Sequence, residues 1–329
     1  MKPYYQKART IALSAIILVI AMTAIPTESV KAQYSRENLP DKTVYNDFVV
    51  GPGKVQLDMR PGETKVVNLT VTNRLGTEKD FQIEMEDLVG SRDPNRTVVL
   101  LGQDRGPHSL KDFLAIASTT FKIGHAVRTT VPVLIHVPAD AEAGGLYGSV
   151  VISTVSNKQN VDAQGNSMGT SPIITRIGTL FFIRVAGDVV EDGKVTEFTA
   201  KNGKIQWSNK PITFRILYEN NGTVHVNPYG LITVSNMLGA PVTSIQIEPW
   251  FSLPDSLRLR EVNWNHSFLF GRYVATAEIN RGYGDIIDTE TFTFWVIPWK
   301  IIAGVFGGLV IVILLLRWVF SKFTIVTKR

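Results

Sequence analysis

Two stretches of this chain are apolar with no polar face. Ile11 to Ile25 is interrupted only by Ser14 and Thr23, and Ile301 to Leu316 carries no charge. Between them the pattern changes to short segments of alternating apolar and polar residues, the period of a half-buried strand. Lys54 to Met59, Thr64 to Asn73, Phe81 to Asp87, Thr120 to Ile123, Thr129 to Val137 and Gly145 to Thr154 all read this way. Pro61-Gly62 predicts a turn, because proline presets φ and glycine tolerates positive φ. Ser109 is placed to cap a short helix running to Ala117. Ser156 to Ser171 is polar and without period, so it reads as an exposed loop, and Ile173 to Val185 returns the chain to a sheet.

A second series of strands begins near Gly193. It comprises Lys194 to Ala200, Ile205 to Trp207, Ile212 to Glu219, Leu231 to Ser235, Ser244 to Glu248, Tyr273 to Ile279 and Thr291 to Ile297. Short strands bounded by Gly, Pro and Asn predict an all-β fold of two tandem immunoglobulin-like β-sandwiches, covering 45–188 and 189–297. The boundary is expected between Gly187 and Gly193.

The apolar ends fit targeting segments. Lys2, Lys7 and Arg9 precede the first, and Val30-Lys31-Ala32 offers small residues at the −3 and −1 positions of a cleavage site. Residues 1–32 are therefore expected to be a signal peptide. Residues 299–320 have the length of a membrane crossing, with Trp299 and Trp318 at its ends. Arg317, Lys322, Lys328 and Arg329 follow, so 321–329 is expected to be a basic cytoplasmic tail, with everything before the helix outside.

Charge agrees with that topology. Of 34 Lys/Arg and 29 Asp/Glu, the two end segments hold nine basic residues and one acid, which leaves 25 against 28 between them. The net charge of +5 thus belongs to the membrane flanks, and a nucleic-acid partner is not expected. There is no cysteine, which excludes a disulfide framework, a cysteine-based metal site and a cysteine nucleophile.

Several motifs together carry a family likeness. Leu57-x-x-Arg60-Pro61-Gly62-Glu63-Thr64, then Val66, Val71 and Asn73, resembles the opening of bacterial immunoglobulin-like surface domains. Val137-Pro138-Ala139-Asp140-Ala141 with Tyr147-Gly148 extends the likeness. Tyr218-Glu219-Asn220-x-Gly222-Thr223, Trp264, Gly271-x-Tyr273 and Phe294-x-x-Ile297-Pro298-Trp299 continue it. With its targeting segments the chain resembles the WxL-interacting proteins of Gram-positive surfaces. That resemblance implies two such domains on a membrane helix, the first contacting peptidoglycan and the second a WxL partner protein. The run Ile174-x-Arg176-Ile177-x-x-Leu180-Phe181-Phe182-x-Arg184 separately resembles the client-pairing strand of periplasmic pilus chaperones.

Catalytic signals are lacking. None of His108, His125, His136, His225 and His266 falls in a metal-ligand spacing, and no GxSxG elbow is present. Glu84 and Glu86 share a strand face and are expected to be solvated. Asp87, Asp93 and Asp104 flank a loop without EF-hand spacing. Trp207 and Trp264 are expected in the second core, and Trp250 and Phe251 in an exposed binding loop. No catalytic residue, metal or cofactor is expected. The sequence thus predicts a non-enzymatic envelope protein, anchored in the bilayer through 299–320, that binds a cell-wall polymer or another surface protein. The alternative is a membrane-tethered chaperone that pairs strands with exported clients. Trp250, Phe251, Arg176 and Arg184 are the candidate contact residues.

Overall fold

The structure is a computed structural model describing residues 34–155, 174–207, 210–266 and 268–322. The expected signal peptide, the whole of the 156–171 loop and most of the basic tail lie outside the described residues. The rest is almost wholly β, followed by one apolar helix.

Residues up to Val185 form two packed sheets. One contains β1 (Ser35–Asn38), β2 (Phe48–Gly51), β4 (Thr64–Asn73), β7 (Leu114–Ile116) and β9 (Val127–His136), in the order β1-β9-β4-β2 with β7 also on β9. The other contains β3 (Lys54–Met59), β5 (Lys79–Gly90), β6 (Val98–Leu100), β8 (Thr120–Ile123), β10 (Gly144–Thr154) and β11 (Arg176–Val185). Its order is β3-β11-β10-β5-β6 with β8 also on β5. The inward positions supply Leu69, Val71, Phe81, Ile83, Val131, Val133, Val150, Ile152, Phe181 and Ile183 to one core. The chain passes from the first sheet to the second between β2 and β3. It then runs parallel to β11, pairing Lys54 with Leu180 through Met59 with Val185.

A second pair of sheets follows Gly193. β12 (Gly193–Ala200), β14 (Ile212–Asn220) and β17 (Ser256–Trp264) form one. β13 (Ile205–Gln206), β15 (Tyr229–Asn236), β16 (Pro241–Ile247), β18 (Gly271–Asn280) and β19 (Ile287–Val296) form the other, in the order β13-β19-β18-β15-β16. Their core contains Phe214, Ile216, Tyr218, Ile232, Val234, Trp264, Ala275, Phe292 and Phe294. The helix α1 (Trp299–Lys322) has no buried residue and is long and apolar enough to cross a membrane.

Two expectations about local structure change. Ser109 caps no helix: a single 3-10 turn at Lys111–Phe113 gives way to β7, and the residue preceding that turn makes no side-chain cap. The buried carboxylate of Asp87 accepts the N–H groups of Gly106 (3.1 Å), Leu110 (3.0 Å) and Lys111 (2.9 Å). This anchors the loop as the chain enters pairing with β9, from Leu114 opposite Ile135. Strands β1, β2, β6 and β17 were not foreseen; β17 carries Arg258, Arg260 and Glu261 and lacks a clean alternation.

Both halves use the same device where a core strand ends. Asn73 closes β4: its Nδ2 donates to the carbonyls of Thr77 and Ile123, and its Oδ1 accepts from Leu75 N–H. Asn220 closes β14: its Nδ2 donates to the carbonyls of Val224 and Ser252, and its Oδ1 accepts from Gly222 N–H. Both are fully buried. A buried amide satisfying three backbone groups leaves all of them unpaired when it is removed. Asn73→Ala and Asn220→Ala are each expected to cost about 2–4 kcal/mol, measured by denaturant unfolding of the ectodomain, with a conservative change at exposed Asn202 as the unaffected reference.

Candidate functional site

The features of interest converge on β11. Along its second half it has two neighbours, β10 and β3. Along its first half only β10 pairs with it among the described residues. The free groups can be identified by alternation. Leu180 N–H donates across to the carbonyl of Gly53, and Ala186 N–H to that of Met59. Even-numbered residues of this strand therefore point their backbone groups away from β10. Gly178, Arg176 and Ile174 fall in that set with no β3 residue opposite. The Thr179 hydroxyl, which donates to Pro52 carbonyl at 2.8 Å, marks where the covering chain begins. What remains is a short row of donors and acceptors without a strand partner among the described residues, at a sheet edge of the kind that is a template for another strand.

Arg176 does not project freely from that edge. Its side chain crosses β10 to pair with Glu84 at 2.9 Å and with Glu86. The two glutamates do share a face, as expected, but Glu86 is buried rather than solvated. Ser149 and Val151, between β5 and β11 on that face, are buried as well. The side chain thus ties β5 to β11 across β10, while its backbone remains at the open edge.

Further along the same face the residues become apolar. Leu88, Tyr147 and Phe182 stand on three adjacent strands and pack against Leu253 and Phe251 from the second half of the chain. Phe182 meets Phe251 edge-on at 4.9 Å, and Lys54 and Arg258 lie over the Phe251 ring at 5.3 and 5.2 Å. Leu257 N–H donates to Ser91 carbonyl and Gly145 N–H to Thr223 carbonyl. Gly90 makes this contact possible: a Cβ there would lie 2.5 Å from Ser256 Cβ and 2.9 Å from Pro254 oxygen.

His225 is the polar centre of the junction. Its backbone N–H donates to the Tyr147 hydroxyl at 2.6 Å, and its ring nitrogens stand 2.8 Å from the Gln56 amide and 3.3 Å from that hydroxyl. Burial, then the charges of Arg184 and Lys54, push its pKa down to about 4, so the ring is neutral at pH 7. Beside it a cleft of about 200 Å³ is lined by Gln56, Asp58, Arg184, Glu191 and His225 among others. Arg184 binds Glu191 of the connecting segment at 2.7 Å. Val190 carbonyl in turn accepts from Thr223 N–H, so the connector is fixed on both sides.

The four contact residues expected from sequence therefore divide. Arg176 and Arg184 lie on β11, each in an ion pair. Trp250 is only 5% exposed: it belongs to the second core, edge-on to Tyr218, because the segment after Pro249 turns inward. Phe251 is partly buried in the junction. Trp207, expected in the core, is 58% exposed, whereas Trp264 is buried and stacked on Phe214. Among the described residues no group of three or more His, Cys, Asp or Glu could hold a metal ion. Tyr147, His225 and Gly90 were not singled out for a junction. The available signal was the doubled apolar run Leu180-Phe181-Phe182-Ile183, which needs cover on both faces of its sheet.

No family model matches the chain, and no curated protein matches it by sequence. Among solved structures it is similar to the class 5 fimbriae chaperone CfaA, at TM-score 0.36 and 9% identity over 75% of this chain and 99% of that one. It is also similar to the E. coli chaperone DraB, at TM-score 0.34 and 13% identity over 75% and 96%. A third likeness is to the CsuC–CsuE chaperone-tip adhesion subunit complex of Acinetobacter baumannii, at TM-score 0.35 and 10% identity over 76% and 99%.

The buried neutral histidine gives the junction an acid limit. An unfolded histidine titrates near about 6.5, and His225 titrates near about 4 in the fold. Between these values the unfolded chain binds more protons, so stability falls as pH falls. Melting temperature is expected to drop from about pH 7 to about pH 5, and His225→Phe should remove much of that dependence. Equal acid sensitivity in both proteins would rule His225 out as its source.

Proposed function

We propose that this chain is a membrane-tethered, non-enzymatic protein of the cell envelope that binds another exported polypeptide by strand addition to β11. The observation that carries the reading is the open edge at Ile174, Arg176 and Gly178, whose outward backbone groups have no β3 residue opposite them. Main-chain hydrogen bonds at such an edge give affinity with little dependence on client sequence, and flanking side chains add selectivity. Ile174 is exposed and Ile177 only half-buried beside the edge, so an incoming strand would find apolar contacts as well as backbone partners.

The apolar helix α1 would hold this edge at the outer face of a cell membrane, with the chain crossing there and ending in the cytoplasm. Two immunoglobulin-like domains would then be displayed outside. A WxL-type partner, which the sequence resemblance implies, is one polypeptide that such an edge could take. The wall-polymer reading has less support, because Trp250, expected in an exposed binding loop, is buried in the second core and Phe251 beside it is partly buried in the junction.

The chain lacks cysteine, so single reactive positions can be introduced cleanly. A photo-crosslinker at Ile174 or Ile177 is expected to capture exported proteins in intact cells, and one at Leu134, on a strand paired on both sides, is not. Arg176→Pro, which removes an outward N–H, should lower capture several-fold, and Arg176→Gln, which keeps it, should not. Equal yields from positions 174 and 134 would sink the proposal.

A further inference from the structure

The end of the second domain that carries α1 differs from the rest of the surface. Strand register defines that end. Gly271 pairs with Val296, just before the helix, and Asn236 pairs with Tyr273. The β15–β16 turn, the segment between β17 and β18 and the stretch after β13 are therefore all at the helix-bearing end. Met237 and Leu238 at the first turn are 72% and 86% exposed. Phe268 and Phe270 in the second segment, and Trp207 after β13, are also exposed. Large apolar side chains thus stand exposed at three loop tips around the base of α1, more exposed at Met237 and Leu238 than at Ile286 (42%) and Ile287 (58%) at the far end, and such a cluster marks an interaction surface.

Charge on these segments has one sign. Residues 201–212, 236–241, 264–272 and 297–300 contain Lys201, Lys204, Lys210, Arg272 and Lys300, and no Asp or Glu. The loops at the opposite end are acidic, with Asp188, Glu191 and Asp192 in the connector and Asp255 and Asp285 in turns.

The helix fixes the depth. Phe268 and Phe270 line an apolar hollow of about 330 Å³ together with Pro298, Ile301, Ile302, Val305 and Leu309. The uncharged stretch Ile301 to Leu316 is about 24 Å long at about 1.5 Å per residue, less than the roughly 30 Å of a hydrocarbon core. If α1 crosses a bilayer, none of this stretch can be left in water. Its first turns must then lie in hydrocarbon, and the phenylalanines packed beside Ile302 and Val305 must lie there or at the headgroup boundary.

We infer that the helix-bearing end of the second domain is itself a lipid-binding surface. Met237, Leu238, Phe268 and Phe270 enter the leaflet, and the surrounding lysines and Arg272 contact anionic headgroups. The ectodomain is thereby seated on the membrane and does not swing on a tether. This rests on the membrane-tethered reading above, and the two can be separated in one experiment.

Full-length protein would be reconstituted in nanodiscs of phosphatidylcholine and phosphatidylglycerol, with one cysteine at a time carrying an environment-sensitive fluorophore. The positions are Leu238→Cys, Phe268→Cys, Leu309→Cys in the helix, and Ile286→Cys at the far end. Labels at 238, 268 and 309 are expected to emit further to the blue than the label at 286. Nitroxide lipids should quench them several-fold more strongly, and aqueous iodide should quench them less. If 309 is shielded but 238 and 268 behave like 286, the anchor stands and the seated domain falls. If 309 is itself open to iodide, both fall. Unchanged burial of 238 and 268 in purely zwitterionic nanodiscs would overturn the role given to the basic residues.

Discussion

The organisation of this protein depends on covering the outer face of one sheet. Leu88, Tyr147 and Phe182 sit on the side of the β5-β10-β11 layer that points away from its own core, where they would form an exposed aromatic stripe. The second pair of sheets covers that stripe with Leu253 and Phe251, and the glycine at position 90 lets the two backbones approach. Several other features follow from this contact. It buries His225, fixes the connector through Arg184 and Glu191, and commits the apolar half of β11 to an internal role. The other half of the strand has no second neighbour among the described residues.

The two halves of β11 show how a chain that changes sheets creates an edge. The segment from Phe48 to Met59 serves both layers, pairing with β4 before Pro52 and with β11 after Gly53. A strand divided in this way cannot flank the whole of β11. Proteins usually protect such edges with charge, bulges or a covering loop. Here the nearest charge, Arg176, is drawn inward to Glu84 and Glu86, so it does not stand guard over its own backbone.

Most strands were legible because their alternation is set by local partition between core and solvent. β3, β4 and β8 begin and end where the pattern does. β17 was hidden because Arg258, Arg260 and Glu261 meet the junction and neighbouring charges, and so replace the solvent-and-core alternation with a mixed face. The tryptophans failed for a different reason. Trp250 follows a proline and looks like a loop residue, yet it plugs the core; Trp207 follows a strand of two residues and projects outward. Sequence gives the class of an aromatic residue but not the direction of the backbone that carries it. Arg176 and Arg184 lie on the strand the pattern predicts, although their ion partners come from segments distant in sequence or from the connector.

The fixed connector has a mechanical consequence. Glu191 is held by Arg184, and Val190 exchanges hydrogen bonds with Thr223, so the short link between the two pairs of sheets has little freedom to hinge. β11 therefore has a set bearing relative to the second pair of sheets, with its covered end toward them and its open end away. On the proposed reading, a polypeptide lying on that edge would be held at one orientation to those sheets. Such a part acts as a rigid bracket, and what it would impose on a captured chain is direction.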